Sequence, residues 1–163
     1  MVISPSRLLH DFWDGRLPVK PDEIASKLGI EVRAEFGLED GASGMIFKEG
    51  DKYVIAYDML EPSVRQRFTI AHELGHYSLN HLSDGEIKFR DTRANFMSNS
   101  GRPKEVAANS FAANLLMPEE TVHFAVVDMG VSNLSALANM FDVSEAAMRY
   151  RLMNLGLFDE RVT

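Results

Sequence analysis

Two histidines and a glutamate stand at a spacing that suits a metal site, in the segment His72-Glu73-Leu74-Gly75-His76. Four residues along an α-helix turn the side-chain direction by about 400°, so the two histidines project from one face and can bind one ion together. The glutamate between them flanks that face and reaches a water rather than the metal, where it acts as a general base. The spacing therefore predicts a hydrolytic metal centre with His72 and His76 as ligands and Glu73 as the base.

A catalytic zinc ion needs a third protein ligand and one open position. His81 follows His76 by five residues, about 140° around the helix, and a continuous helix does not turn it inward. The metzincin pattern is excluded, because it requires glycine and histidine where this chain has Leu79 and Leu82. We therefore look for the third ligand elsewhere in the chain.

Glu105 is the better candidate for the third ligand. It is an acid in the first turn of an apolar, alanine-rich helix, where a partner has to compensate its charge if that face is buried. Asn109 shares that face, and its side-chain oxygen can hold a ligand histidine by the other ring nitrogen. Two ordinary explanations stay open: Glu105 as a helix-start acid favoured by the helix dipole, and Asn109 as a buried amide bonded to backbone.

Two helices must position these residues. Apolar side chains at spacings of three and four predict the histidine-bearing helix over residues 61–79. The helix of Glu105 is predicted over 103–117, with Pro103 near its first position. Gly75, between the ligands, lowers helix propensity, which indicates that another backbone or helix packs closely there. The alternative, a solvated face with two coincidental histidines, disagrees with the apolar pattern around the motif.

The rest of the chain predicts an α+β protein. Strand patterns and a turn indicate a small, largely antiparallel sheet, over residues 30–36, 44–48 and 52–57, with a further short strand at 86–90. Further helices are predicted over residues 6–13, 20–29, 132–140 and 144–155. We expect a core domain over 1–120 and a helical subdomain, packed on that core, over 121–163.

Composition narrows the chemistry. None of the 163 residues is cysteine, which excludes disulfides, thiolate clusters and a cysteine nucleophile, so a metal must use His, Asp, Glu or Asn. The 17 basic and 24 acidic side chains give a net charge of −7, which disfavours unspecific attraction to nucleic acid and anionic membranes. No segment predicts a membrane span, and charged residues interrupt residues 1–15 before a signal-peptide core forms. We expect a cytoplasmic protein.

Residues 133–156 are similar to a DNA-binding helix-turn-helix, since Ser144 would cap a second helix that bears Arg149 and Arg151. Charge argues against DNA binding. Residues 131–163 hold three basic and four acidic side chains, a net of −1, whereas DNA readers need a basic footprint. We expect no direct nucleic-acid binding and interpret this segment as a packing or partner-binding subdomain.

Two segments together resemble the ImmA/IrrE family of bacterial and phage metallopeptidases: RQRFTIAHELGHY at 65–77 and EVAANSFAANLLMP at 105–118. Residues 21–30 and 137–152 also look like that family, so the resemblance covers nearly the whole chain. It implies a zincin-like core with a C-terminal helical subdomain, in which His72, His76 and Glu105 bind zinc and Glu73 activates water. In the related gluzincin pattern an acid stands where this chain has Asn109, so the support that this residue gives to a ligand histidine would be weaker.

The resemblance also implies a substrate. Characterised relatives cleave or otherwise inactivate a helix-turn-helix repressor of the Xre type, which relieves repression in mobile elements or stress responses. We therefore expect a zinc metallopeptidase that binds one Zn²⁺ per chain, although Mn²⁺ or another divalent metal also suits two histidines and a carboxylate. The alternative is a metal-stabilised binding module, an anti-repressor or toxin-antitoxin partner, that sequesters a regulator without cutting it.

Two details of the reaction stay open in the sequence. Substrate can add as an extended strand at the sheet edge, at residues 44–48 or a neighbouring strand. A donor to the oxyanion would help the reaction, and His123, Tyr77 and Tyr150 are candidates among which the sequence does not choose.

Overall fold

The computed structural model describes residues 1–82, 88–92, 102–160 and 162–163. The helices and strands in these residues are α1 (Pro5–Phe12), α2 (Pro21–Lys27), β1 (Glu31–Glu35), a 3₁₀ turn (Glu39–Gly41), β2 (Ala42–Glu49), β3 (Lys52–Asp58), α3 (Ser63–Ser78), β4 (Lys88–Thr92), α4 (Pro103–Leu116), α5 (Glu119–His123), a π-helical turn (Phe124–Asp128), α6 (Leu134–Phe141) and α7 (Glu145–Asn154). The α+β prediction is confirmed.

The sheet has four strands in the order β1-β3-β2-β4. Strands β2 and β3 form an antiparallel hairpin around the predicted turn, and β4 pairs antiparallel with β2. The remaining pair, β1 with β3, is parallel. The sheet is therefore mixed, with the antiparallel part nearest to the histidine-bearing helix.

Strand β2 is an interior strand, which corrects the expectation that residues 44–48 offer a sheet edge to substrate. Its two hydrogen-bonding sides are occupied by β3 and β4, so among the described strands the outer positions belong to β1 and β4. The strand predicted at 86–90 corresponds to β4, although residues 86 and 87 lie outside the described part. A register shift between Ala42 and Gly44 places a bulge in β2 opposite β4.

Helix α3 lies between the sheet and α4, and contacts β2, β3 and α4. It begins directly after Pro62, the N-cap residue, whose ψ of 147° lies outside the helical region. One apolar core joins the three layers, and its fully buried members include Ala71 and Leu74 of α3, Ile46 and Ile55 of the sheet, and Ala112 and Leu115 of α4. Burial on both sides explains why α3 has no solvated face along its second half.

The C-terminal helices share this core and are tied to it by two arginines. Arg67 of α3 donates to the carbonyls of Val19, at 2.6 Å, and Asp142, at 3.0 Å. Arg151 of α7 donates to the carbonyl of Met117 at 2.9 Å. Burial lowers the pKa of both guanidinium groups from its ordinary value, and nearby carboxylates oppose that shift. Within the described residues, no helix combines the length and the apolarity needed to cross a bilayer.

Candidate metal centre

The two histidines of α3 point their Nε2 atoms at one another. His72 and His76 are one turn apart, and their Nε2 atoms are 3.0 Å apart. Both side chains are buried, with exposed fractions of 1% and 0%. Buried polar atoms need a partner, and a cation bound between the two Nε2 atoms would serve both of them.

Glu105 of α4 joins the pair. Its Oε2 atom lies 3.1 Å from His72 Nε2, and its Oε1 atom lies 3.4 Å from His76 Nε2. Pro103 starts α4 two residues earlier, so the carboxylate stands in the first helical turn, where the dipole also favours it. The structure thus brings together the three residues that the sequence singled out as ligands.

These three side chains could hold a metal ion. One ligand atom from each of His72, His76 and Glu105 lies within 4.8 Å of the other two, and all three residues are buried. Two imidazoles and one carboxylate match the three protein ligands of an open catalytic zinc site. The donor set therefore fits a divalent cation with a position left for water or substrate.

The outward nitrogens of the two imidazoles also have partners. His72 Nδ1 lies 2.8 Å from the side-chain oxygen of Asn109. His76 Nδ1 lies 2.8 Å from Nδ1 of His81. With both Nδ1 atoms engaged from behind, both Nε2 atoms are directed to the cluster, as a metal site requires.

His81 reaches His76 because α3 stops before it. The helix ends at Ser78, and Asn80 adopts a left-handed conformation with φ of 61°. The backbone N–H of His81 donates to the carbonyl of His76, and that of Asn80 donates to Tyr77, both at 3.0 Å. This pair of bonds is the Schellman motif, which reverses the chain over the last helical turn. A continuous helix would direct His81 away from His76, so helical periodicity does not predict this contact. Asn80 is the sequence signal for it, because asparagine tolerates the left-handed conformation.

Glu73 is fully buried on the sheet side of α3. A Cβ atom at Gly44 of β2 would lie 3.4 Å from Glu73 Oε1 and would overlap the Cγ2 methyl of Thr69. The carboxylate therefore sits against the strand backbone, one turn along α3 from Thr69. A glycine at 44 is required by the Thr69 methyl, whereas the contact with Glu73 would be an ordinary van der Waals distance.

Gly75 has the packing role that its place in the helix indicates. A Cβ atom there would lie 3.1 Å from Cβ of Phe111 and 3.2 Å from the carbonyl oxygen of Ala108, both on α4. The absent side chain lets α3 and α4 approach closely between the two histidines. That approach is what brings Glu105 within reach of both rings.

The model of the Peptidase_M78 family, described as the IrrE N-terminal-like domain, matches residues 25–153. The chain belongs to this family. The match to the Peptidase_M78 model runs from α2 to α7 and so includes α3 and α4 with all three candidate ligands. Membership supports the ImmA/IrrE resemblance, a protease activity and a divalent metal.

A search of curated proteins gives no match. Among solved structures, a Mycobacterium tuberculosis transcriptional regulator is similar, with a TM-score of 0.63 and 19% identity. The similarity covers 91% of this chain and 44% of the regulator, so this chain spans less than half of that protein's length. At 19% identity the similarity shows that the regulator and this Peptidase_M78 chain share a fold. It shows nothing about the activity of this chain.

The three candidate oxyanion donors lie in ordinary surroundings in this Peptidase_M78 chain. Tyr77 packs edge to face on Tyr53, with ring centroids 5.1 Å apart. Tyr150 is 67% exposed on α7, and His123 is exposed at the end of α5. Within the described part of the chain, none of the three hydrogen-bonds to a candidate ligand. Their assignment stays a prediction.

Proposed function

We propose that this chain is a zinc-dependent endopeptidase that hydrolyses one peptide bond in a partner transcriptional repressor of the Xre type. The observation that carries the proposal is the convergence of His72, His76 and Glu105, with Glu73 on the same helix. Membership in Peptidase_M78 supports a metallopeptidase. The net charge of −7 suits a basic, DNA-binding target.

In this proposal His72, His76 and Glu105 hold the metal, and Asn109 orients His72. Bound zinc supplies Lewis-acid chemistry, lowering the pKa of water and polarising the scissile carbonyl. Glu73 accepts one proton of the attacking water while the oxygen bonds to the carbonyl carbon. The same carboxylic acid then donates that proton to the amide nitrogen as the carbon–nitrogen bond breaks. The second proton of the water stays on the new carboxylic acid and then passes to the released amine, so the products are a carboxylate and an ammonium group.

The interior position of Glu73 supports its role as the base. The Glu73 side chain has no exposed surface, so bulk water is excluded from its carboxylate and a proton that it accepts stays within the site. The adjacent backbone of Gly44 limits where the carboxylate can move.

The test separates chemistry from binding with Glu73→Gln, which keeps the volume of the side chain and removes the base. We expect zinc content of about one ion per chain to persist and repressor cleavage to fall by roughly 10²–10⁴-fold. Cleavage is followed by intact-protein mass spectrometry of an Xre-type repressor incubated with the chain. Glu120→Gln, an exposed glutamate on α5, is the matched control and should cleave as the parent does.

The alternative of sequestration gives the opposite result. If Glu73→Gln relieves repression in a reporter assay as well as the parent, hydrolysis is not the mechanism and the chain acts by binding its regulator. If neither the parent nor the variant binds zinc, the metal centre itself is wrong.

A further inference from the structure

The two candidate imidazole ligands are supported from behind by different groups. His72 Nδ1 meets an amide oxygen of Asn109, whereas His76 Nδ1 meets a ring nitrogen of His81, both at 2.8 Å. We infer that His81 is a positioning residue that accepts a hydrogen bond from His76 and thereby strengthens metal binding by this chain. The inference rests on the metal site in the proposed function.

The chemistry of imidazole fixes which ring donates. A histidine that binds metal through Nε2 carries its hydrogen on Nδ1, so His76 Nδ1 must donate. His81 Nδ1 must then accept, which places the hydrogen of His81 on its own Nε2 and keeps that ring neutral. Only one tautomer of His81 therefore supports the metal-binding form of His76.

The local backbone holds His81 in place for this role. The Schellman motif bonds the His81 N–H to the His76 carbonyl at 3.0 Å, so the two residues are joined by backbone and side chain at once. The carbonyl of His81 also lies 3.5 Å from Nζ of Lys104, the neighbour of Glu105 on α4. The turn after α3 is thus connected to both helices that supply ligands.

The ring geometry points to a directional bond. The centroids of His76 and His81 are 5.1 Å apart and the ring planes meet at 60°, so the rings are not stacked. A half-buried ring could still contribute by packing alone. The two roles differ in what they require at position 81: packing needs a ring of similar size, and positioning needs an acceptor atom bonded to Cγ.

Two substitutions separate these roles. His81→Phe keeps a ring and removes the acceptor, while His81→Asn loses the ring and keeps an acceptor oxygen on Cγ. We expect His81→Phe to weaken zinc affinity by roughly 10–100-fold, the usual effect of losing a group that supports a ligand histidine, and His81→Asn to stay within about threefold of the parent. Affinity is measured on the full, metal-stripped chain by competition with a chromophoric chelator.

The control is His10→Phe, which makes the same change at a histidine whose side chain is 81% exposed. It should leave zinc affinity unchanged. Equal affinity for His81→Phe and the parent would overturn the inference, as would equal losses in His81→Phe and His81→Asn, because that pattern indicates packing. A parent chain that binds no zinc would instead refute the proposed function.

A measurement on the parent protein keeps the inference testable if a variant does not fold. In the zinc-loaded chain labelled with ¹⁵N-histidine, a hydrogen bond between the rings gives a scalar coupling between His76 Nδ1 and His81 Nδ1. We expect this coupling, together with a His81 Nε2 that carries a hydrogen. Its absence, or a hydrogen on His81 Nδ1, would overturn the inference.

Discussion

Gly44 lies where β2 passes α3 beside Glu73, and alanine at this position tests how tightly the sheet and the helix are fitted. A Cβ atom at 44 would overlap the Cγ2 methyl of Thr69 and would lie 3.2 Å from the carbonyl oxygen of Ala56. Thr69 is β-branched within a helix, so its methyl can move away only by a change to the second χ1 rotamer, and burial to 1% exposure opposes that change. The added methyl group must therefore push α3 or the strand.

The change in the free energy of unfolding caused by Gly44→Ala is the sum of a packing cost and an entropic gain. Overpacking by one methyl group costs about 1–3 kcal/mol, and replacing glycine by alanine recovers about 0.4–1 kcal/mol through the unfolded chain. Because the overlap is with a rigid side chain, we expect Gly44→Ala to lower the free energy of unfolding by about 1–2 kcal/mol. Thr69→Ser, which removes the overlapping methyl, should cost about 1 kcal/mol alone.

The stability of the double variant, compared with the sum of the two single changes, shows whether the two methyl groups compete for the same space. With serine at 69, the alanine methyl at 44 occupies the space that Cγ2 leaves, so the two losses should not add. We expect the pair Gly44→Ala and Thr69→Ser to be more stable than the sum of the single changes by about 1–2 kcal/mol. Recovery is incomplete, because the contact with the Ala56 carbonyl remains.

The assay is urea unfolding of the metal-free chain, followed by circular dichroism. Thr121→Ser, on α5, is the matched control, because no atom of Thr121 is among the nearest neighbours of a Cβ atom at position 44. Its loss of unfolding free energy should simply add to that of Gly44→Ala. A coupling below about 0.5 kcal/mol between positions 44 and 69 would refute the reasoning, since distant and independent sites already agree within that margin.

Two further predictions concern the metal. Free zinc at 100 times its dissociation constant should stabilise the folded chain by about 2.7 kcal/mol, which raises Tm by about 5–11 °C for a chain of this length. Thermal melts with zinc and with chelator measure this rise in Tm. An unchanged Tm would contradict zinc binding. Asn109→Asp should tighten zinc binding roughly tenfold and destabilise the metal-free form, because a carboxylate accepts a stronger bond from His72 but adds a negative charge beside Glu105. Chelator competition measures the zinc affinity, and urea unfolding of the metal-free protein measures its stability. Weaker zinc binding by the variant would contradict the predicted gain in affinity.

Local signals made the helices predictable from the sequence. Pro103 at the start of α4, Ser144 before α7 and the apolar spacing along α3 act within a turn or two, so they survive in a single sequence. The approach of Glu105 to His72 was predictable for a related reason. An acid in an alanine-rich helix needs a partner, and a cation held by the histidine pair would provide one.

Non-local contacts were not predictable in this way. The interior place of β2 depends on pairing with β4, from Phe47 with Lys88 to Ala42 with Thr92, and a single sequence carries no local signal of pairing across so many intervening residues. The contact of His81 with His76 depends on one left-handed residue, Asn80, which lies two positions after the last helical residue, Ser78. A single backbone conformation thus decided a side-chain contact that periodicity alone excluded.

Two glycines set the position of α3 from opposite sides. Gly44 admits the sheet backbone next to Glu73, and Gly75 admits α4 between the two histidines. Helix propensity alone favours alanine at 75 by about 1 kcal/mol, yet the Cβ atom would meet Phe111 and Ala108 at 3.1 and 3.2 Å, so α4 would have to move away by tenths of an ångström. The oxygens of Glu105, now 3.1 and 3.4 Å from the imidazole nitrogens, would move with it. The separation of the two helices, and not the motif alone, therefore determines whether a third ligand reaches the pair.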